Sequence, residues 1–134
     1  MTLYVDSSVL LAGYLGEDLA DRSAEIVASD PVLCTSWLTT VEVRRSLARA
    51  HGGTIPSTVS SRVADDTDAV ALIGADPTMW ADAAVVAEVT GARSLDAVHL
   101  AAARSIGVPS LVFATFDLRQ AQAARSLGMA VVGA

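Results

Sequence analysis

Four carboxylates lie at the ends of predicted strands or in the predicted helices next to them. Asp6 directly follows an apolar, β-prone run, and Asp117 ends a later one. Glu42 falls about two turns into the predicted helix after the second strand, and Asp96 falls in the first turn of the helix before the fourth. Because open parallel sheets bind ligands outside the carboxyl ends of their strands, all four side chains can face one crevice.

Carboxylates crowded into one crevice repel each other and raise one another's pKa, so such a cluster is costly without a cation. Oxygen ligation without Cys or an obligatory His favours Mg²⁺ or Mn²⁺ over Zn²⁺. The chemistry that an oxygen-ligated Mg²⁺ serves best is phosphoryl transfer, because the ion activates and orients a water and neutralises charge on the scissile phosphate. The predicted reaction is therefore metal-dependent hydrolysis of a phosphate ester.

Each acid by itself also has a purely structural interpretation. Asp6 and Asp117 are in position to cap helix N-termini. Asp96 would be a favourable first-turn charge, and Glu42 would belong to a solvated helix face. The coincidence of four acids at equivalent positions favours the metal site over four unrelated structural roles.

An alternation of strands and helices with short connections is expected to position these acids. This pattern predicts an α/β fold, in which a parallel sheet is covered by helices on both faces. The chain has 134 residues, of which 52% are hydrophobic, and it fits one domain over residues 1–134. The predicted strands are residues 3–5, 32–35, 69–73, 110–114 and 129–132, and the predicted helices are residues 7–14, 18–29, 36–50, 55–65, 76–90, 94–106 and 117–127.

Capping residues and apolar stripes add local detail. Ser7 or Ser8 is predicted to cap the first helix, and Ser94 the sixth. Asp76-Pro77 is a strong start signal for the fifth helix. The predicted buried stripes comprise Thr40, Val43, Leu47 and Ala50 in the third helix, and Leu95, Val98, Ala102 and Ile106 in the sixth.

The charge balance narrows the classes of function. A formal net charge of −6 argues against a sequence-independent coat on nucleic acid, which needs a basic face. That objection weakens if the acids bind metal, because four carboxylates around one divalent ion leave about −2 locally. All nine basic residues are arginines, which suit bidentate phosphate contacts, although a compositional bias toward Arg and Ala explains most of this preference.

The chain shows no sign of export or of membrane insertion. It has no secretory leader pattern, and no apolar run reaches the roughly 18 residues that span a bilayer. The lone Cys34 lies in an apolar run and is expected to be a small buried hydrophobe. We therefore expect a cytoplasmic protein without disulfides, thiolate metal sites or membrane contact.

Four segments of the chain, taken together, resemble PIN-domain ribonucleases, most closely the VapC-type toxins of bacterial toxin–antitoxin pairs. They are Tyr4-Val5-Asp6-Ser7-Ser8, Thr40-Val41-Glu42-Val43, Leu95-Asp96-Ala97-Val98-His99-Leu100-Ala101-Ala102-Ala103 and Thr115-Phe116-Asp117. They occur in the family's order and at its usual spacing, and they span nearly the whole chain.

The resemblance implies specific roles for these residues. Asp6, Glu42, Asp96 and Asp117 would form the catalytic, metal-binding acidic quartet. Thr115 would support Asp117, and Ser7 stands at the hydroxyl position that often follows the first Asp.

The resemblance also implies an architecture, a reaction and partners. The fold would be a three-layer α/β/α PIN-like fold with a five-stranded parallel sheet in the order 3-2-1-4-5. The activity would be that of an endoribonuclease that uses Mg²⁺, for which Mn²⁺ can substitute, and leaves a 3′-hydroxyl and a 5′-phosphate. The partners would be an RNA substrate, a second copy of the chain in a homodimer, and a cognate antitoxin that places a side chain near the acids.

Residues outside the quartet have open interpretations. Arg45 lies one turn after Glu42 and could hold an RNA phosphate, bind an antitoxin carboxylate or pair with Glu42 in the metal-free protein. His99 fits a satisfied helix histidine better than a substrate contact. Trp37 and Trp80 fit packing or interface anchors better than base-stacking platforms.

Two other classes of protein remain as rivals. An acidic edge on an α/β sheet also occurs in receiver domains and in haloacid-dehalogenase-like phosphatases. A receiver needs a Lys that coordinates the phosphoryl group, and the chain contains no Lys. The rival without enzymatic activity is a binding module that acts mainly as the partner of an antitoxin.

Overall fold

The computed structural model describes residues 2–16 and 18–134. Met1 and Glu17, which belong to the domain predicted over residues 1–134, lie outside this description. The strands are β1 (Thr2–Val5), β2 (Leu33–Ser36), β3 (Ala71–Ile73), β4 (Leu111–Thr115) and β5 (Ala130–Gly133). The helices are α1 (Ser7–Leu15), α2 (Ala20–Ala28), α3 (Trp37–Ala50), α4 (Ser57–Ala69), α5 (Pro77–Thr90), α6 (Ser94–Ser105) and α7 (Leu118–Ser126).

Over the described residues, the five strands form one sheet in the order β3-β2-β1-β4-β5. Every neighbouring pair is parallel. With helices packed on both faces, this is the predicted three-layer α/β/α architecture, and the predicted strand order is confirmed. The sheet places β1 at its centre, with β2 on one side and β4 on the other.

Side-chain alternation along β1 divides the core into two layers. Successive residues of a strand point to opposite faces of the sheet. Tyr4 accordingly packs into a cluster formed largely by α5, α6 and α7, whereas Leu3 and Val5 pack with Val9 and Ile26 of α1 and α2 on the other face. Both layers are apolar, which explains why the sequences of the central strands consist almost entirely of hydrophobic residues.

The edge strand β5 approaches β4 closely at its carboxyl end. Gly133 has a φ of +108°, a conformation that favours glycine. A Cβ at this position would lie 2.3 Å from the Thr115 carbonyl oxygen. Gly133 therefore allows β5 to pair with β4 up to the end of Thr115.

Two predicted caps differ from the observed ones. Asp6 is the N-cap of α1, in agreement with its structural interpretation and in place of Ser7 or Ser8, and its side chain accepts a hydrogen bond from the Ser8 N–H. Helix α6 begins at Ser94 with Arg93 at the cap position. The difference at α1 arises because several polar residues in succession offer alternative caps. At α6 the Arg93 side chain makes no capping hydrogen bond.

The buried helix faces also differ in part from the predicted stripes. In α3 the buried positions are Thr39, Val43 and Leu47, because the Thr39 hydroxyl packs 2.6 Å from that of Thr35. Helix α6 is buried without interruption over residues 97–103. Leu95 in its first turn is 52% exposed.

Helix α5 forms as the sequence predicts. The Asp76 side chain accepts a hydrogen bond from the Met79 N–H, Pro77 occupies the first turn, and Gly91 ends the helix in a left-handed conformation. At 14 residues, α3 and α5 are the longest helices of the described chain. Within residues 2–16 and 18–134, no helix combines the length and the apolar character that a bilayer crossing requires.

Two valines on α5 provide a matched test of the packing. Val86 is fully buried, whereas Val89 is 72% exposed. We expect Val86→Ala to lower the free energy of unfolding by about 2 kcal/mol, because two buried methyl groups are lost and a cavity remains. Val89→Ala should change it by no more than about 0.5 kcal/mol. Urea unfolding measures both values, and equal losses would contradict this placement of α5.

Candidate active site

The carboxyl ends of β1 and β4 are joined by hydrogen bonds around Asp6. The Asp6 N–H donates to the Ala114 carbonyl at 3.0 Å. The Thr115 hydroxyl donates to Asp6 Oδ2 at 2.6 Å, and the Ser8 hydroxyl donates to Asp6 Oδ1 at 2.5 Å. The Ser8 Oγ in turn accepts the N–H of Phe116 at 2.9 Å. The orientation of the Asp6 carboxylate is therefore fixed by Thr115 of β4 and by Ser8 of α1.

Asp6 is a buried carboxylate whose charged form is disfavoured by the loss of hydration. It is 5% exposed. Burial raises its pKa above the usual aspartate value, and the hydrogen bonds from Ser8 and Thr115 only partly oppose this effect. Burial penalises the charged form of Asp6, and a cation placed beside the carboxylate would offset that penalty.

Asp117 and Asp96 both pair with the guanidinium group of Arg93. Arg93 donates from Nε to Asp96 Oδ2 at 2.9 Å and from Nη2 to Asp117 Oδ2 at 3.2 Å. Asp117 is also the N-cap of α7, because its Oδ1 accepts the N–H groups of Arg119 and Gln120. Its own N–H donates to the Thr115 Oγ1 at 3.0 Å. Thr115 thus contacts both Asp6 and Asp117, and Arg93 extends the network to Asp96.

Glu42 is held from the opposite side of the site. His99 Nε2 lies 2.5 Å from Glu42 Oε1, and the Tyr4 hydroxyl lies 2.8 Å from His99 Nδ1. Burial raises the pKa of Tyr4 well above its usual value, and the negative charge of Asp6 adds to the shift. The phenol therefore remains neutral in the core, between the sheet and α6.

The predicted quartet is brought together only in part. Asp6, Asp96 and Asp117 belong to one hydrogen-bonded network. Glu42 belongs to a separate set of contacts with His99 and Tyr4. In the described part of the chain, no group of three or more carboxylate, His or Cys side chains is arranged to hold a metal ion. The donor set itself fits a hard divalent ion.

The contacts of the predicted supporting residues differ in part from the predictions. Thr115 contacts Asp117 as predicted and also contacts Asp6. Within residues 2–16 and 18–134, no side-chain hydrogen bond involves Ser7, and the hydroxyl on Asp6 belongs to Ser8. Glu42 pairs with His99 rather than with Arg45, which is exposed.

Four residues of the site, Ser8, Arg93, Tyr4 and His99, were not selected from the sequence for these contacts. Ser8 could have been found, because an N-cap side chain accepts the N–H of the second helical residue and so lies beside it. Arg93 also carried a signal, since residues three apart at a helix start are neighbours. The contact between Tyr4 and His99 joins residues 95 positions apart, and no local pattern indicates it.

The amino-acid sequence matches the model of a known protein family. The model of the PIN domain matches residues 3–126, so the chain belongs to the PIN domain family. Among curated protein sequences, none is significantly similar.

Several solved structures have the same fold. The Mycobacterium tuberculosis toxin VapC20, which cleaves the sarcin–ricin loop, superposes with a TM-score of 0.71 at 20% identity, over 91% of this chain and 95% of that one. VapBC2 from Rickettsia felis, bound to a DNA fragment from its promoter, gives a TM-score of 0.70 at 10% identity over 98% and 97% of the two chains. A toxin–antitoxin complex from Klebsiella pneumoniae gives 0.67 at 19% identity over 87% of each chain.

The central role of Thr115 can be tested by stability. Thr115→Val keeps the shape of the side chain but leaves Asp6 Oδ2 without its hydroxyl donor and the Asp117 N–H without its acceptor. We expect a loss of about 1–3 kcal/mol in the free energy of unfolding, the cost of unsatisfied buried polar groups.

Thr67→Val is the matched control for this substitution. The Thr67 hydroxyl donates to the Val63 carbonyl within α4, and that carbonyl belongs to an ordinary helical turn. Its replacement should change stability by no more than about 0.5 kcal/mol. In thermal melts, a Thr115→Val variant as stable as Thr67→Val and wild type would contradict the role assigned to Thr115.

Proposed function

We propose that this chain is a metal-dependent endoribonuclease and the toxin of a type II toxin–antitoxin pair. Its substrate is RNA, and the reaction is hydrolysis of a phosphodiester bond to leave a 3′-hydroxyl and a 5′-phosphate. The observation that carries the proposal is the buried Asp6 carboxylate at the junction of β1 and β4, connected through Thr115 and Arg93 to Asp117 and Asp96. Membership of the PIN domain family supports the same chemistry.

The side chains proposed to hold the metal are Asp6, Glu42, Asp96 and Asp117. Mg²⁺, or Mn²⁺ in its place, would lower the pKa of a bound water and offset negative charge on the scissile phosphate. Asp6 contributes a fixed, buried carboxylate whose charged form a nearby cation would stabilise. The other three are partly exposed, with side-chain exposures of 24%, 21% and 34%, so they are accessible to a substrate.

Arg93 compensates for the charge of two of these acids in the metal-free chain. Its guanidinium neutralises carboxylates that would otherwise repel each other. A divalent ion would take over that neutralisation. The guanidinium, which is 67% exposed, would then be available to an RNA phosphate, because arginine pairs with phosphate in a bidentate manner.

A groove beside Asp96 suits the RNA backbone. It has a volume of about 420 Å³ and is lined by polar and small residues, among them Arg93 and Arg119. Arg119, together with Arg93 once a metal has replaced it beside Asp96 and Asp117, would supply local positive charge in a chain whose net charge is −6. Local charge of this kind positions a phosphate chain without reading its sequence.

The partners proposed are a cognate antitoxin and a second copy of the chain. Apolar side chains are exposed on α3, at Trp37 and Val41, and on α5, at Trp80, Val85 and Val89. Exposed apolar surface of this kind is typical of protein contacts. The structural likeness to the Klebsiella pneumoniae complex is compatible with an antitoxin partner.

Cleavage of structured RNA by the purified protein tests the proposed activity. With Mg²⁺ or Mn²⁺, we expect products that carry a 5′-phosphate, and EDTA should abolish their formation. Asp96→Asn should reduce the rate by at least about 100-fold, because loss of even an outer partner of a metal ligand costs about 10–100-fold. Denaturing gels and end-group analysis provide the measurement.

The matched control is Asp82→Asn on α5. The Asp82 carboxylate pairs with Arg104 at 3.4 Å and takes no part in the network around Asp6, so this variant should cleave at the wild-type rate. Cleavage that persists without divalent metal, or that survives Asp6→Asn, would contradict the mechanism.

A further inference from the structure

A chain of three hydrogen-bonded side chains crosses from the centre of the sheet to the candidate site. Tyr4 lies on β1 and is fully buried, and His99 on α6 is 2% exposed. Glu42 on α3, at the end of the chain, is 24% exposed. The contacts therefore lead from the core outward to a carboxylate that reaches solvent.

The chemistry of the three groups gives this chain a direction. A carboxylate only accepts hydrogen bonds, so His99 Nε2 must carry the proton that it shares with Glu42. In a neutral ring Nδ1 is then an acceptor, and the Tyr4 hydroxyl donates to it. With the ring neutral, each proton therefore has one position, and the two bonds relate the orientation of the Glu42 carboxylate to that of the Tyr4 ring.

The Tyr4 ring is itself fixed by the core. It stacks on Phe113 of β4 with ring centres 5.2 Å apart and an interplanar angle of 11°. The His99 ring meets its edge at 72°. A rigid aromatic pair at the centre of the sheet thus supports the histidine that holds Glu42.

Glu42 is the member of the quartet that needs such support most. It lies on α3 in the middle of a helix and has a longer side chain than the three aspartates, so more rotamer freedom must be lost for it to bind a ligand. Asp6 and Asp117 are fixed by N-cap bonds, and Asp96 is held by Arg93. Among the described residues, the hydrogen bond to Glu42 comes from His99 alone.

We propose that Tyr4 and His99 are positioning residues, which orient the Glu42 carboxylate for metal binding through the bonds Tyr4 to His99 and His99 to Glu42. Hydrogen-bond partners behind metal ligands fix their orientation in this way. The inference deepens the proposed function and rests on it. The competing interpretation is that the three residues only tie β1, α3 and α6 together.

Mn²⁺ binding to the purified full chain distinguishes these interpretations. Tyr4→Phe keeps the ring stack and removes one hydroxyl, and His99→Leu removes both ring nitrogens. Each should weaken Mn²⁺ binding by about 10–100-fold in calorimetry. At saturating Mn²⁺ the KM for RNA should be unchanged. His99→Gln, which retains a donor, should recover part of the affinity.

Non-additivity tests whether Tyr4 acts through His99. If it does, Tyr4→Phe should cause no further loss of Mn²⁺ affinity in the His99→Leu background, because the bond it removes is already absent. The ring nitrogens of His99 give a signature that is independent of activity. We expect ¹⁵N shifts of an Nε2–H tautomer in the metal-free wild type, and a changed Nδ1 shift in Tyr4→Phe.

Ser23→Ala is the matched control for lost stability. It removes another buried hydroxyl, which donates to the Val9 carbonyl at 2.6 Å, and it should leave Mn²⁺ affinity unchanged. If His99→Leu does not fold, Tyr4→Phe and His99→Gln still decide the question.

The outcomes separate this inference from the proposed function. Variants that lose stability but bind Mn²⁺ like wild type would overturn the positioning role alone, as would an effect of equal size in Ser23→Ala. A wild-type chain that neither binds Mn²⁺ nor cleaves RNA would overturn the proposed function, and the positioning role with it.

Discussion

The candidate site depends on the hydrogen bond between the Thr115 hydroxyl and the buried Asp6 carboxylate. This bond joins the carboxyl ends of β1 and β4, and β4 leads directly into α7. It satisfies one oxygen of a carboxylate that burial penalises, and the same hydroxyl accepts the Asp117 N–H. One side chain thereby sets the position of two acids, and both of these acids also cap helices.

The structural and the functional interpretations of these acids are compatible. Capping uses the oxygens of Asp6 and Asp117 to accept backbone N–H groups, which fixes the carboxylates and leaves further lone pairs for a ligand. Compensating groups then limit the repulsion among the acids. Arg93 lies between Asp96 and Asp117, and His99 lies against Glu42. The metal-free chain thus carries a cation or a hydrogen-bond donor at each of the four acids.

The sequence predicted the elements well because its local signals were strong and agreed with each other. Helix α5 begins at Asp76-Pro77 and ends at Gly91 as expected. The alternation of strands with helices correctly predicted the layers of the fold. The strand order came from the resemblance to PIN domains, since propensity carries no information about which strands are neighbours. The site was harder to predict. The acids could be selected by type and position, whereas Arg93 reaches Asp117 across 24 residues and Tyr4 reaches His99 across 95, and tertiary packing alone brings these partners together.

We propose that Asp6, Glu42, Asp96 and Asp117 form one metal site, and a crystal soaked in Mn²⁺ tests this proposal most directly. We expect an anomalous difference peak for a Mn²⁺ ion bound by carboxylate oxygens of these residues. The Arg93 guanidinium should then be displaced from between Asp96 and Asp117. The absence of a peak at the carboxyl ends of β1 and β4, with Arg93 still bridging the two aspartates at saturating Mn²⁺, would contradict it.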